Sequence, residues 1–379
     1  MRACLLTDII SPHQMPLARQ VAARLGADNF RYISTVAPDA GRWQQGWFGG
    51  ETPAWVVENW RGGEQSQTAA EWARSADVVL CGLRDLALFR QRAAAGRPTF
   101  YMSERWFKPP LGAGRLLHPR FLRMALAFRR LARSPHLHYL AMGRLAAADM
   151  RRLGAFRNRT WLWGYFVDGP AEPRPALPAG PRPLEILCAG RMLRLKRLDL
   201  LVDVLAQLAR EGRDCRLRLI GGGVREAHLR AQVRRLGIEE RVTFQSFVPI
   251  QEVRGWMRKA DVYVLPSNGQ EGWGTVVNEA MSEGCAVLVS NATGVGATLL
   301  THESNGLLFR SGCAVDLACQ LRRLCDDADL RRRIAAAGRE CMEREWSPAV
   351  AAERLLALGE ALANGRPPPQ YASGPLQPL

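Results

Sequence analysis

The chain has 379 residues, 47% hydrophobic and 23% charged, with 52 Lys and Arg against 36 Asp and Glu, a formal charge of +16. Such a composition fits a soluble globular protein with room for two full cores, and no apolar run approaches the roughly 18 residues of a membrane span. The nine cysteines are scattered, with no CxxC pair and no Cys/His cluster, which argues against a disulfide framework and a zinc site.

In the first half, strands are expected near 2–10, 31–36, 77–82, 98–104, 138–142 and 160–166, with helices near 15–26, 85–95, 119–133 and 144–153. Asp8 interrupts the first strand too early for a signal-peptide core, so a cytoplasmic location is expected. Ser11-Pro12-His13-Gln14 follows that strand, and loops of this kind meet ligands in open parallel sheets. His13 is thus either a substrate hydrogen-bond partner or a local loop contact. The stretch 41–63 places Trp43, Trp47, Trp55 and Trp60 among glycines. It reads as a long loop anchored to the core, or as a platform for a sugar ring.

Tyr101-Met-Ser103-Glu104-Arg105 ends the fourth strand. Glu104, at a strand end that faces a cleft, is a candidate for contact with substrate, with Arg105 beside it as a neutralising charge. Residues 105–159 then carry 13 Lys and Arg and one acid, Asp149. Within this window, Phe121, Met124, Phe128 and Leu131 repeat at helical spacing, with Arg120, Arg123, Arg130 and Arg133 off the stripe. A helix of this kind lies on an anionic membrane or faces a core with its basic side solvated. A nucleic-acid partner is not expected, because neither a recognisable module nor aromatic residues interleaved with the basic ones accompany the charge.

Six prolines between Pro170 and Pro183 mark a linker over 169–183. A second alternation follows, with strands near 184–190, 215–221, 241–247, 261–266, 285–290 and 306–309. Three helical segments come next, then a Pro-rich tail, 365–379, expected to be disordered. Gly221-Gly-Gly223 imitates a dinucleotide fingerprint but lacks the spaced third glycine. Asp327-Ala-Asp329, shaped like a metal pair, stands where a helix begins and reads as a cap. The fold class is therefore α/β, with two parallel-sheet domains, 1–168 and 184–346, facing each other across a cleft.

Two segments carry chemistry. In Leu184-Glu-Ile-Leu-Cys-Ala-Gly190-Arg191-Met-Leu-Arg-Leu-Lys196, a buried strand ends in a glycine turn and a basic loop. Arg191 as a fork and Lys196 as a point charge suit a diphosphate. In Glu271-Gly272-Trp273-Gly274-Thr275-Val-Val-Asn-Glu279, a strand leads through glycines into a helix whose first N–H groups favour a phosphate. Glu271 then stands where it can accept from sugar hydroxyls, and Glu279 from a ribose diol.

Together these segments resemble the retaining family 4 glycosyltransferases of the GT-B fold, of the kind that build bacterial cell-envelope polysaccharide. The likeness covers roughly 184–310. It rests on Gly190-Arg191 with Lys196, Leu217-Arg-Leu-Ile-Gly-Gly-Gly223, Val242-Thr-Phe-Gln-Ser-Phe247-Val248, the two glutamates, and Glu303-Ser-Asn-Gly-Leu-Leu-Phe309. It implies a UDP- or GDP-sugar donor, no cofactor or metal, and contact of Phe247-Val248 with the base. Transfer would retain configuration, and a final helix, 347–362, would return to the N-terminal domain. With the basic N-terminal half, the resemblance further implies a lipid-linked or glycan acceptor and an enzyme peripheral on the inner face of the cytoplasmic membrane through residues 105–159. The alternative is a nucleotide-sugar epimerase or hydrolase of the same fold. The glycine-rich loop that the family often carries after its first strand is absent here.

Overall fold

The computed structural model describes residues 1–38, 52–175 and 182–379. They form two compact units, one comprising residues 1–168 with 345–379 and the other 169–344. In the first, strands β1 (Ala3–Thr7), β2 (Phe30–Ser34), β3 (Val56–Glu58), β4 (Val78–Cys81), β5 (Thr99–Ser103), β6 (Leu137–Met142) and β7 (Thr160–Trp163) build one sheet in the order β3-β2-β1-β4-β5-β6-β7. In the second, β8 (Leu184–Ala189), β9 (Cys215–Ile220), β10 (Val242–Gln245), β11 (Val262–Leu265), β12 (Ala286–Ser290) and β13 (Leu307–Phe309) are ordered β10-β9-β8-β11-β12-β13. Every pairing between these strands is parallel.

Parallel strands are covered on both faces, so they read as unbroken apolar runs rather than alternations. Val262-Tyr-Val-Leu265 and Ala286-Val-Leu-Val-Ser290 are buried throughout. The helices that cover them are α1 (Met15–Leu25), α2 (Gly63–Ser75), α3 (Leu86–Ala94), α4 (Pro119–Leu131) and α5 (Arg144–Arg152) in the first unit, and α6 (Leu198–Arg210), α7 (Glu226–Leu236), α8 (Ile250–Lys259), α9 (Val276–Ser282), α10 (Ala314–Asp326) and α11 (Ala328–Arg344) in the second. Asp327 caps α11 as expected, its carboxylate accepting from the Leu330 N–H at 2.8 Å.

The short strand β3 and helix α2 were not anticipated. Three residues are too few to show a period, and α2 opens on two glycines, a weak start for a helix. Trp55 is buried beside Phe30, its anchoring role realised, whereas Trp43 and Trp47 lie outside the described residues.

Helix α12 (Pro348–Ala363) opens on Ser347, whose hydroxyl accepts from Val350, with proline at its first position. It packs on α1 and on β4 in the first unit. Gly359 permits this approach, since a Cβ there would lie 2.8 Å from a methyl of Val78.

The tail over 365–379 is a correction. Leu376 is buried, its N–H donates to Leu162 at 2.7 Å, and Pro378 bridges to Trp161 of edge strand β7. Composition pointed to disorder. An open sheet edge offers unpaired backbone groups that even a Pro-rich segment can satisfy with its remaining amides.

Candidate active site

In the second unit, β8 lies between β9 and β11, so the sheet continues in opposite directions on its two sides. Ligands of open α/β sheets bind beyond the carboxyl ends of the strands at such a switch point. Both chemical segments emerge there, one from β8 and one from β11. The Asn268 N–H donates to the Leu195 carbonyl at 2.8 Å, tying the loops together. Lys196 Nζ then meets Glu271 Oε2 at 2.6 Å, and the Ser267 hydroxyl donates to the same oxygen at 3.0 Å. Residues 75 positions apart in the chain thus form one partly buried ion pair. Arg191 stands exposed at the head of the same loop.

The glycines here serve close backbone approach. Gly274 has φ +101°, and a Cβ on it would sit 2.6 Å from a Leu265 methyl. Gly190 has φ +135°. A Cβ on Gly221 would meet the Gly190 carbonyl oxygen at 2.2 Å, so the glycines after β9 let two loops pass at contact. This explains Gly221-Gly-Gly223 without a dinucleotide. The exposed ring of Phe247 lies across Gly221 and Gly222, with Val248 half-buried beside it.

Trp273 serves the fold of this loop. Its side chain is buried and its indole N–H donates to Asn278 at 2.9 Å. The indole anchors the loop and offers no free face to a donor, while Gly272 and Gly274 carry the backbone around it. The Val295 N–H donates to the Trp273 carbonyl at 3.0 Å, so the loop after β12 buttresses this turn. Thr275 is half-buried and immediately precedes α9.

Glu279 is only 3% exposed. Burial, reinforced by the like charge of Glu283 and opposed by Arg254, pushes its carboxyl up to about 7. Glu283 accepts from Arg254 Nε at 2.5 Å and from Arg258 at 3.0 Å, so a compact ionic group lies under the helix that carries Glu279.

In the first unit, β1 and β4 flank the corresponding reversal. The His13 ring packs edge-on against Tyr165 at 6.1 Å between centroids. The Tyr165 hydroxyl donates to Glu104 at 3.4 Å. His13 and Glu104 are therefore joined through one tyrosine. Burial lowers His13 to about 4, leaving its imidazole neutral at pH 7 and able both to donate and to accept. The charge beside Glu104 is not Arg105. Lys108 takes that place, Nζ to Oε2 2.8 Å, whereas Arg105 faces the buried Asp149 at 3.9 Å. A residue four positions on shares the same side of a local turn more readily than an immediate neighbour does.

Ser267 and Tyr165 were not assigned from the sequence. Ser267 is a polar residue at a strand end four before Glu271, a usable signal. Tyr165, just past β7, carries no such mark.

The face of α4 is also revised. Phe121, Ala125 and Phe128 point into the core, so the anticipated stripe is a packing face. A different apolar set faces outward: Leu111 at 68% exposure, Leu117 at 88%, Leu122 at 42% and Leu126 at 45%, beside exposed Arg120, Arg123 and Arg130. Among the described residues no helix is long and apolar enough to cross a membrane.

Residues 172–341 match the model of the family "Glycosyl transferases group 1". Similar proteins include the putative colanic acid biosynthesis glycosyltransferase WcaL of Escherichia coli (strain K12), 28% identical over 230 residues, covering 59% of this chain and 56% of that one. The amylovoran biosynthesis glycosyltransferase AmsK of Erwinia amylovora is 30% identical over 188 residues, 48% of this chain and 46% of its own. The chain thus spans about half the length of the curated relatives it matches. Among solved structures, Anabaena HepE in complex with UDP superposes with a TM-score of 0.71 at 18% identity, covering 96% of this chain and all of that one. Sucrose-phosphate synthase from Thermosynechococcus elongatus gives 0.69 at 17% identity, covering 96% and 100%. The fold is thus GT-B, and residues 172–341 of the C-terminal unit are similar to the group 1 glycosyltransferases.

Proposed function

We propose that the protein is a retaining glycosyltransferase that moves a sugar from a nucleotide-diphosphate sugar to a lipid-linked or cell-envelope glycan. The observation that carries this reading is the Lys196–Glu271 pair at the switch point of the second sheet. Arg191 and Lys196 offset the charge of the leaving diphosphate, and no metal is assigned to the site. Glu271 orients the transferred sugar, Glu279 takes the ribose and Phe247 the base. The names of WcaL and AmsK support a polysaccharide acceptor, and UDP bound to HepE supports a nucleotide donor. His13 and Glu104 are assigned to the acceptor.

The test separates the two acids. Glu271→Gln is expected to cut turnover while UDP or GDP binding measured by calorimetry stays nearly intact, and Glu279→Ala to weaken the nucleotide itself. The reverse pattern would show the assignment wrong. Free sugar released at the same rate with and without acceptor would favour a hydrolase.

Glu279 also sets a pH dependence. Its carboxyl is raised in the folded protein, so its contribution to stability is complete below the ordinary carboxylate value and is lost as pH rises through about 7. Ribose hydroxyls donate to the ionised form, so nucleotide binding draws a proton off. Affinity is expected to rise between pH 6 and 8 in the wild type and to stay flat in Glu279→Ala. A wild-type affinity independent of pH would remove Glu279 from the ribose.

The outward leucines and arginines of α4 and the segment before it are proposed as a contact with an anionic bilayer, placing the protein peripherally on a cytoplasmic membrane face. Each base near such a surface contributes about 1 kcal/mol within a Debye length. Cosedimentation with anionic but not neutral vesicles, and release by salt, are expected. Arg123, Arg130 and Arg133 replaced by glutamate, or Leu122 and Leu126 by serine, should abolish it. A wild type that leaves anionic vesicles unbound sinks this surface.

A further inference from the structure

Two cysteines 110 positions apart meet at the opposite end of the second sheet from the donor loops. Cys215 opens β9 and Cys325 stands one residue before the end of α10. Their sulfurs are 3.3 Å apart, inside the separation of two sulfurs merely packed in a core. A disulfide needs about 2.05 Å, just over 1 Å closer than the sulfurs already lie.

Their neighbours hold them there. Arg213, two residues before Cys215, forks onto Asp326, the residue after Cys325, with contacts of 3.1 and 2.7 Å. Glu211 accepts from Arg213 at 2.7 Å and from both arms of Arg322 on α10, at 2.8 and 2.6 Å. The strand entry and the end of the helix are thus clamped on both sides of the sulfur pair. Both cysteines line an open cavity of about 1000 Å³, walled by Arg174, Arg182, Arg331 and Arg339, which admits a small oxidant. Cys325 is half-buried and Cys215 buried.

We propose that Cys215 and Cys325 form a redox-active dithiol that closes reversibly to a disulfide, stapling β9 to α10. With hydrogen peroxide as oxidant, the Cys215 thiolate attacks one peroxide oxygen and the O–O bond breaks. The departing oxygen leaves as water after taking a proton, and Cys215 becomes a sulfenic acid. The Cys325 sulfur then attacks the Cys215 sulfur, the S–O bond breaks, and a second water leaves with the Cys325 proton. Two thiols lose two electrons and one peroxide gains them. The hydrogen bond from Cys325 lowers the Cys215 thiol, against its burial and with help from the Arg241 guanidinium, and this sets the order of attack. Cys4, Cys81, Cys188 and Cys285 are pushed the other way by burial and are poor nucleophiles.

The crosslink would close a long loop of the unfolded chain, so oxidation is expected to raise Tm on the order of 5 °C. The donor loops leave the carboxyl ends of β8 and β11, at the other end of the sheet from Cys215, so nucleotide affinity should change by less than about twofold. This proposal does not rest on the assigned reaction. The test uses the full chain treated with stoichiometric hydrogen peroxide, alkylated, digested and mapped by mass spectrometry. The expected product is a Cys215–Cys325 crosslink, reversed by dithiothreitol together with the Tm shift. Cys325→Ser should abolish both and leave a sulfenic acid at Cys215 that dimedone traps. Oxidation confined to the exposed Cys319, with Cys215 and Cys325 recovered alkylated in the wild type, would overturn the proposal. A Tm shift that persists in Cys325→Ser would overturn it as well. Because the wild type alone supplies the crosslink result, a variant that fails to fold does not protect the idea.

Discussion

Lys196→Ala is expected to lower turnover by about 10²–10³-fold, the usual effect of removing one electrostatic donor from a developing charge. The ammonium has two tasks in this site. It lies 2.6 Å from Glu271, and it stands in the loop that presents Arg191 at the carboxyl end of β8. Its loss removes a positive charge from the path proposed for the diphosphate. It also leaves Glu271 in a partly buried position, with the Ser267 hydroxyl still donating to it at 3.0 Å. The affinity for nucleoside diphosphate should fall with turnover, and the affinity for nucleoside should not. Arg191→Ala should repeat the binding pattern more weakly, because an exposed guanidinium has water in competition. Calorimetry with nucleoside, nucleoside monophosphate and nucleoside diphosphate distinguishes the cases. Equal losses for nucleoside and diphosphate would show that Lys196 holds the protein together rather than the phosphate.

The largest effect on stability is expected at Glu283, outside any assigned chemistry. Its buried carboxylate joins Arg254 and Arg258 of α8 to the end of α9. The Arg254 guanidinium also donates to the Gly169 carbonyl at 3.1 Å. Breaking such a group by removing one partner leaves buried charge uncompensated and costs about 3–5 kcal/mol. Glu283→Ala should therefore lose that much in denaturant unfolding. Joint replacement of Glu283, Arg254 and Arg258 by Leu, Met and Leu should lose far less, since well-packed apolar side chains often match a buried ion group. A loss below about 1 kcal/mol for Glu283→Ala would mean that solvent reaches the arginines readily. The same variant should lower the carboxyl of Glu279, because burial remains but the neighbouring negative charge that also raises it is gone.

The sequence alone determined the two parallel sheets. Strands covered on both faces appear as apolar runs such as Val262-Tyr-Val-Leu265, and the prolines after Pro170 separate two such series. It also singled out the residues proposed to grip phosphate, because Gly190 and Gly274 hold backbone conformations that other residues rarely take, and charged residues next to them stand out. Side-chain partners were another matter. Glu104 pairs with Lys108 rather than Arg105, Glu271 with Lys196 from a loop 75 positions away, and Cys215 with Cys325 across 110. Periodicity reports which face of an element is buried, but not which element covers it. For the same reason the apolar stripe of α4 was legible while its destination was not: Phe121 and Phe128 entered the core, and Leu122 and Leu126 remained outside. The ordered tail is the converse case. Its composition speaks against structure, and only the free edge of β7, a feature created by the assembled sheet, supplies the hydrogen bonds that hold it.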